Sequence, residues 1–192
     1  MCIRDRCVLV HPDCCKILRA TLDYFTEHGA VFYKKMAHVG YLRHLLVRRG
    51  VKTGEILVDL VTSTQTEGTW KSEQNEEALL EGWKEKLLEL DLEGSFAGIL
   101  HTENDSLADV VQNDRTVILY GQDFFMEELL GLKFKITPFS FFQTNSLGAE
   151  VLYETAREYI GETDGRKVFD LYSGTGTCLL YTSDAADDLI GV

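Results

Sequence analysis

The sequence predicts an α/β fold in which helices and strands follow one another along the chain. Two observations support this prediction. Apolar residues recur at helical spacing in three separate segments, and short apolar runs bounded by turn residues lie between those segments. Hydrophobic residues make up 45% of the 192 residues, so these elements can enclose a core.

The first half of the chain contains two predicted helices and a hairpin. Pro12 and Asp13 begin the first helix, and Gly29 can end it. Its apolar positions at helical spacing are Ile17, Leu18, Leu22 and Phe25. Residues 41–49 and 55–62 are predicted strands, joined by a hairpin loop at residues 50–54. A polar loop over residues 62–74 leads into an amphipathic helix over residues 75–90, whose inward positions are Leu79, Leu80, Trp83, Leu87 and Leu88.

The second half begins with four strand-like runs, at residues 96–101, 116–120, 124–130 and 132–136. Pro138 interrupts this pattern, and Asn145 or Ser146 can cap a helix that continues to about Ile160. Residues 161–166 form a predicted turn and residues 167–172 a buried strand. We therefore expect a central α+β domain over residues 7–138 and a second α/β domain that begins at Phe139 and is represented here by residues 139–177.

Both ends of the sequence have an unusual property at the level of codons. Residues 1–5 read M-C-I-R-D, which ATG TGT ATA AGA GAC can encode, and this string resembles a transposon-based sequencing adapter. Residues 178–183 read C-L-L-Y-T-S, which TGT CTC TTA TAC ACA TCT can encode, the reverse complement of the first string. We therefore interpret residues 1–6 and 178–192 as adapter-derived and exclude them from functional reasoning.

Charge and hydropathy restrict the classes of protein to which this chain could belong. No apolar run approaches the roughly 18 residues that a membrane span needs, and no signal peptide is apparent. These features predict a soluble, cytoplasmic protein with no membrane partner, and no obligate protein partner is evident. The net charge is -12, so a nucleic-acid partner would require a locally basic surface, or one in a part of the protein that this sequence does not contain. The five cysteines form no CxxC pair and no obvious zinc site.

The segment most suggestive of chemistry is residues 168–177, which read V-F-D-L-Y-S-G-T-G-T, an apolar strand followed by a glycine loop. Strand ends of this kind bind ligands in α/β sheets, and Gly174 and Gly176 would let the backbone approach a cofactor closely. A glycine turn without a ligand is the alternative. A nucleotide-phosphate loop is disfavoured, because no G-K-[ST] follows.

The segment upstream adds a second motif. Residues 141–145 read F-F-Q-T-N, and residues 149–153 read A-E-V-L-Y. Together with the glycine motif, they strongly resemble the bacterial RNA (uracil-5-)-methyltransferases, and the resemblance covers residues 7–177. Residues 40–45, G-Y-L-R-H-L, resemble the central domain of that family. Within the family, the 23S ribosomal RNA branch is the nearest match, with the tRNA branch as the alternative.

The resemblance implies a cofactor and a set of cofactor-binding residues. The second domain would be the start of a Rossmann-like domain that binds S-adenosyl-L-methionine. Gln143 would contact the methionine or sulfonium region, Tyr172 would pack on the cofactor, and Gly174 and Gly176 would shape the loop that Asp170 orients. Two alternatives remain: Gln143 could cap the helix that follows it, and Tyr172 could be a core residue.

Cys7 resembles the last of four cysteines that hold a [4Fe-4S] cluster in many family members, and an ordinary thiol is the alternative. A local basic stretch could contact RNA phosphates, or could be a solvated hairpin face. It consists of Lys34, Lys35, Arg43, Arg48, Arg49 and Lys52.

In the family that the sequence resembles, a cysteine thiolate adds to uracil C6, and C5 then attacks the methyl group of the cofactor. A base removes the C5 proton, and elimination of the thiolate from C6 frees the enzyme. Both the cysteine and the base lie beyond the glycine loop in that family, so no catalytic residue is assigned in this chain. The expected function is therefore that of a fragment, inactive by itself, of an enzyme that forms 5-methyluridine in 23S rRNA. A methyltransferase for another substrate class and a non-catalytic RNA-binding module are the alternatives.

Overall fold

The computed structural model describes residues 9–66, 70, 75–106, 115–165, 167 and 169. The chain divides into two units. The first comprises Met1–Glu127 and Lys135–Phe139, and the second comprises Glu128–Phe134 and Ser140–Val192. The adapter-like ends lie outside the described residues, and so does all of the predicted strand at residues 167–172 except two positions without regular structure.

The first unit is built on a four-stranded sheet with two helices. Its strands are β1 (Leu42–Arg49), β2 (Glu55–Thr62), β3 (Ser95–Glu103) and β4 (Arg115–Gly121), in the order β1-β2-β3-β4. Strands β1 and β2 are antiparallel, β2 and β3 are parallel, and β3 and β4 are antiparallel. A parallel pair needs a crossover connection, which here contains the helix α2 (Glu76–Leu88). The α/β class predicted from the sequence is confirmed.

The main core lies between the sheet and the helices α1 (Pro12–Glu27) and α2, which also contact each other. Strands β2 and β3 contribute alternate apolar side chains to this core, as expected for a strand with one face against helices. The buried members of the cluster are Ile17, Phe25, Ala30, Tyr41, Ile56, Val58, Leu60, Leu79, Leu80, Trp83, Leu87 and Ile99.

Two positions predicted to face the core instead face solvent. Leu22 in α1 is 45% exposed, and Leu88 at the end of α2 is 41% exposed. In α1 the buried position is the neighbouring Thr21, whose hydroxyl oxygen accepts a hydrogen bond of 3.1 Å from the indole Nε1 of Trp83. The buried indole of Trp83 needs a hydrogen-bond acceptor for its N–H, and α1 is oriented so that Thr21 provides it. The spacing of apolar residues carries no information about this hydrogen bond.

The remaining elements are β5 (Phe125–Leu129), β6 (Leu132–Ile136) and α3 (Ser146–Ile160). Strands β5 and β6 form a two-stranded sheet. The two residues between them, Leu130 and Gly131, have φ values of 50° and 84°. Positive φ at both positions matches the right-handed twist of a tight hairpin, so the chain can reverse here in two residues.

A buried carboxylate joins α1, the end of β1 and the turn before β3 at one end of the sheet of the first unit. Asp13, only 1% exposed, lies in the first turn of α1. Its oxygens accept hydrogen bonds from the backbone N–H groups of Glu93 (3.1 Å) and Gly94 (3.0 Å), just before β3. Arg49 Nε, at the end of β1, donates to the same carboxylate across 3.3 Å. We call this arrangement the Asp13 clamp.

The Asp13 clamp stabilises the charged form of the Asp13 carboxylate relative to the protonated form. Burial alone would raise the pKa of Asp13, but the N–H groups of Gly94 and Glu93, together with His11 and Arg49, lower it below its ordinary value. His11 is also the N-cap of α1, where its Nδ1 accepts from the Asp13 N–H at 3.2 Å. Pro12 follows as the first helical residue, where its fixed φ suits the helix start.

We predict that Asp13→Ala lowers the free energy of unfolding by about 3 kcal/mol, because it removes the buried acceptor of Arg49 Nε and of two backbone N–H groups. Asp23→Ala, at an exposed position of the same helix, should change stability by less than about 0.5 kcal/mol. Since the folded-state pKa of Asp13 is lowered, its contribution is present above about pH 4 and is lost as the pH falls further. Urea denaturation at several pH values measures both effects. Equal stability of the two variants would contradict the assignment.

Candidate cofactor and nucleic-acid sites

The segment that carries the F-F-Q-T-N motif lies between β6 and α3 and is held at several points within the second unit. The rings of Phe134 and Phe142 are 5.9 Å apart. The backbone N–H of Leu130 donates to the Glu150 carboxylate across 2.6 Å, which links the hairpin turn to α3. The ring contact places Phe142, the residue immediately before Gln143, beside the Phe134 side chain of β6.

The structure resolves the alternative in which Gln143 caps the following helix. The N-cap of α3 is Asn145, whose side-chain oxygen accepts a hydrogen bond of 2.9 Å from the Gly148 N–H. Gln143 lies two residues earlier and is half-buried. Its amide group therefore has no capping role and can donate and accept hydrogen bonds with a ligand.

The other predicted cofactor residues, Asp170, Tyr172, Gly174 and Gly176, lie outside the described residues, as does Cys7. Within the described ranges, no cluster of His, Cys, Asp or Glu could hold a metal ion. Cys14 and Cys15 lie on α1, and neither forms a disulfide within the described part of the chain. Burial, with Asp13 and Cys15 nearby, raises the pKa of the Cys14 thiol, which disfavours the nucleophilic thiolate.

Two of the three arginines predicted to contact RNA bind other parts of the protein. Arg43 donates from Nη1 to the carbonyl oxygen of Asn104 (2.5 Å) and from Nη2 to that of Ser106 (2.7 Å). Arg49 belongs to the Asp13 clamp. Arg48 is half-buried, and burial lowers the pKa of its guanidinium. RNA contact by these arginines stays a prediction.

The hairpin loop beside these arginines is also bound within the first unit. The Glu127 carboxylate accepts hydrogen bonds from the backbone N–H groups of Val51 (2.6 Å) and Lys52 (3.1 Å). The Thr53 hydroxyl donates to the Met126 carbonyl oxygen across 2.6 Å. Glu127 is 1% exposed, so the carboxylate is an integral part of the loop.

Sequence reasoning missed a group of polar side chains between the sheet and α2, of which Tyr41, Thr62 and His101 are buried. The Tyr41 hydroxyl donates to Glu76 Oε1 across 2.9 Å, and the His101 Nε2 lies 2.8 Å from the Thr62 hydroxyl. Burial, together with Arg115, lowers the pKa of His101 to about 4, so the imidazole is neutral at physiological pH. Only tertiary packing brings these residues together, because no short motif contains them.

The opposite face of β2 and β3 contains the buried acid Asp59. The Thr102 hydroxyl donates to its Oδ2 across 3.0 Å and lies 2.8 Å from the Thr116 hydroxyl. Among the described residues, Oδ1 has no hydrogen-bond partner. Burial raises the pKa of Asp59 to about 6, and the Thr102 hydrogen bond only partly offsets that rise.

Known proteins of similar sequence share one description. An uncharacterized RNA methyltransferase of Clostridium tetani is 48% identical over 188 residues, which are 98% of this chain and 39% of that protein. An uncharacterized RNA methyltransferase of Caldanaerobacter subterraneus is 43% identical over 98% of this chain and 40% of its own length. No protein-family model matches the chain.

A solved structure agrees with these relatives. It is the Pyrococcus abyssi tRNA (uracil-54, C5)-methyltransferase in complex with S-adenosyl-L-homocysteine, with 26% sequence identity and a TM-score of 0.58. The similarity covers 86% of this chain and 36% of that one. The chain belongs to the RNA methyltransferase family.

The family predicted from the sequence is thus confirmed, while the 23S rRNA branch stays a prediction. This chain spans about two fifths of the length of the RNA methyltransferases that it matches. None of the helices in the described part of the chain has the length and hydrophobicity that a membrane crossing requires.

We predict that Asn145→Ala destabilises the chain by about 1 kcal/mol, because it removes the cap of α3. Gln143→Ala should leave stability within about 0.5 kcal/mol, because its amide does not cap the helix. Thermal unfolding followed by circular dichroism compares the two variants directly. A larger loss for Gln143→Ala than for Asn145→Ala would make Gln143 a structural residue.

We predict that Asp59 and His101 make opposite contributions to the pH dependence of stability. Because the folded-state pKa of Asp59 is raised, its contribution falls as the pH rises from about 4 to about 6. The lowered pKa of His101 makes its contribution rise from about pH 4 to about pH 6.5. Between pH 4 and pH 7, the free energy of unfolding of Asp59→Asn should therefore rise by about 2 kcal/mol relative to that of wild type.

The comparison with wild type at each pH isolates Asp59, since His101 is present in both proteins. The control is Asp123→Asn, at an exposed position after β4; its denaturation curves should follow those of wild type at every pH. If the Asp59→Asn curves also run parallel to wild type, the buried acid is not titrating in this range.

Proposed function

We propose that this chain is part of an enzyme that uses S-adenosyl-L-methionine to methylate C5 of uracil in RNA, with 23S rRNA as its substrate. The cofactor supplies the methyl group. The observation that carries the proposal is the F-F-Q-T-N segment. It matches the family motif, and it presents Gln143 with an amide that does not cap α3.

The role proposed for Gln143 follows from how its segment is held. Asn145 fixes the start of α3, and the Phe134–Phe142 contact fixes the residue immediately before Gln143. An amide on a fixed backbone can bind a polar ligand at a smaller cost in conformational entropy than one on a mobile loop. The methionine part of the cofactor offers amino and carboxylate groups, which suit the acceptor and donors of an amide.

The Pyrococcus abyssi structure supports the cofactor, because that enzyme is bound to S-adenosyl-L-homocysteine. It also favours a second candidate for the substrate, since that protein is a tRNA methyltransferase. Neither Cys14 nor Cys15 is proposed as the nucleophile. The chain by itself should be inactive, because the family places its nucleophile and base beyond the glycine loop.

We predict that, in a full-length protein containing this sequence, Gln143→Ala weakens S-adenosyl-L-methionine binding by about 1–3 kcal/mol, the cost of an unmet polar contact to a buried ligand. Gln122→Ala, at a half-buried position after β4, is the control and should bind as wild type does. Isothermal titration calorimetry measures both affinities. Wild-type affinity in Gln143→Ala would overturn the assignment.

An activity assay of the same full-length protein identifies the reaction and the RNA substrate. Labelled cofactor with unmodified 23S rRNA or tRNA should yield 5-methyluridine in one of the two RNAs, and the 192-residue chain should yield none. Cofactor-independent RNA binding, with no affinity for S-adenosyl-L-methionine, would instead identify a non-catalytic RNA-binding module.

A further inference from the structure

The loop between α1 and β1 combines basic charge with exposed apolar side chains. Between Glu27 and Glu55 the sequence has six Lys or Arg residues and no Asp or Glu, although the whole chain has a net charge of -12. Two of the six, Lys34 and Lys35, are exposed on this loop. Three apolar side chains accompany them: Phe32 is 54% exposed, Met36 96% and Val39 54%. We call residues 31–39 the basic loop.

The backbone of the basic loop is well anchored, although its side chains face solvent. The Lys34 N–H donates to the Val39 carbonyl oxygen across 2.8 Å, and the His38 N–H donates to the Lys34 carbonyl oxygen across 2.8 Å. The loop is also joined to β1, because the Tyr33 N–H donates to the Leu42 carbonyl oxygen at 2.8 Å. These bonds hold the outward-facing residues in one arrangement before any partner binds.

Gly40 and Gln65 close the base of the loop. Gly40 has a φ of +126°, and a Cβ there would lie 2.5 Å from the Phe32 carbonyl oxygen, so only glycine fits. Its N–H donates to Gln65 Oε1 at 3.1 Å, while Gln65 Nε2 donates to the His38 carbonyl oxygen at 2.9 Å. The Ser63 hydroxyl donates to the Gly40 carbonyl oxygen at 2.6 Å.

Arg43 supports the same loop from β1. Its guanidinium carbon lies 4.4 Å from the centre of the Tyr33 ring, while its Nη atoms donate to backbone carbonyl oxygens at the end of β3. The Tyr33 hydroxyl in turn lies 3.3 Å from His38 Nδ1. Arg43, whose contact with RNA phosphates stays a prediction, thus links the Tyr33 ring of the basic loop to the segment after β3.

We propose that the basic loop is a contact surface for single-stranded RNA, in which Lys34 and Lys35 bind phosphates and Phe32 stacks on a base. This inference rests on the proposed function, which makes RNA the substrate. Proteins that bind single strands combine cationic side chains that follow the backbone with aromatic rings on which bases stack. In a chain with this net charge, the loop offers RNA a local surface that does not repel its phosphates.

The test uses the 192-residue chain and a fluorescein-labelled, uridine-rich single-stranded RNA, with fluorescence anisotropy from about 50 to about 200 mM salt. Lys34→Ala with Lys35→Ala should weaken binding and reduce the slope of log Kd against log salt by about 1. Phe32→Ala should raise Kd about fivefold or more with the slope unchanged, because stacking releases no counterions. Phe32→Trp should restore the affinity.

The matched control is Lys16→Ala with Lys86→Ala, which removes the same charge from α1 and α2. Lys16 donates to the Asp91 carbonyl oxygen and Lys86 pairs with Glu89, near the end of the sheet that carries the Asp13 clamp. The control should bind RNA nearly as wild type does. Circular dichroism confirms that each variant is folded before its Kd is compared.

Two outcomes would overturn the proposal. One is an equal change of slope in the loop variant and the control, which would show that net charge alone attracts RNA. The other is a wild-type chain that does not bind this RNA or whose affinity is insensitive to both loop changes, as expected if the loop contacts a protein. Neither outcome concerns cofactor affinity or 5-methyluridine formation, so failure of the basic loop and failure of the proposed function are distinguishable.

Discussion

The buried carboxylate of Asp13 is the interaction on which the arrangement of the first unit depends. It joins the start of α1 to the end of β1 through Arg49 and to the turn before β3 through two backbone N–H groups. A buried charge is tolerated only when several donors surround it. The three elements must therefore adopt one relative arrangement for the carboxylate to be satisfied, and the register of the sheet is fixed where β2 and β3 begin.

The opposite end of the same sheet has a different character. There the basic loop, the start of β1 and the ends of β2 and β3 meet, held by Gly40, Ser63, Gln65 and Arg43. These contacts are made largely by backbone carbonyl and N–H groups, and the side chains of Lys34 and Phe32 are exposed. One end of the sheet thus stabilises the unit, while the other presents exposed basic and aromatic side chains on an anchored backbone. Binding residues are often found on loops that a rigid scaffold positions in this way.

The family of this chain could be predicted from short motifs, because F-F-Q-T-N and the glycine run are contiguous in sequence and can be recognised without tertiary information. The same was true of the helices and strands up to residue 160, whose predicted bounds agree with the structure to within about two residues. The strand predicted at residues 167–172 stays a prediction. The roles of single basic residues were less accessible. Arg43 and Arg49 looked like phosphate contacts by charge alone, yet both donate to acceptors within the first unit. Composition identifies a basic stretch, but it does not show which of the basic side chains are hydrogen-bonded within the protein.

The sequence by itself determined the order of the elements up to residue 160, a helix cap at Asn145 or Ser146, the break at Pro138 and the motif that contains Gln143, since each depends on neighbours within a few residues. Tertiary structure alone decided which polar groups are buried. Asp13 and Glu93 are 80 residues apart, and His101 meets Thr62 across 39 residues. Local spacing cannot predict such partners, because a buried polar side chain is placed by donors and acceptors from other elements. The same reason explains why Thr21 rather than Leu22 faces the core: the indole N–H of Trp83 requires an acceptor there.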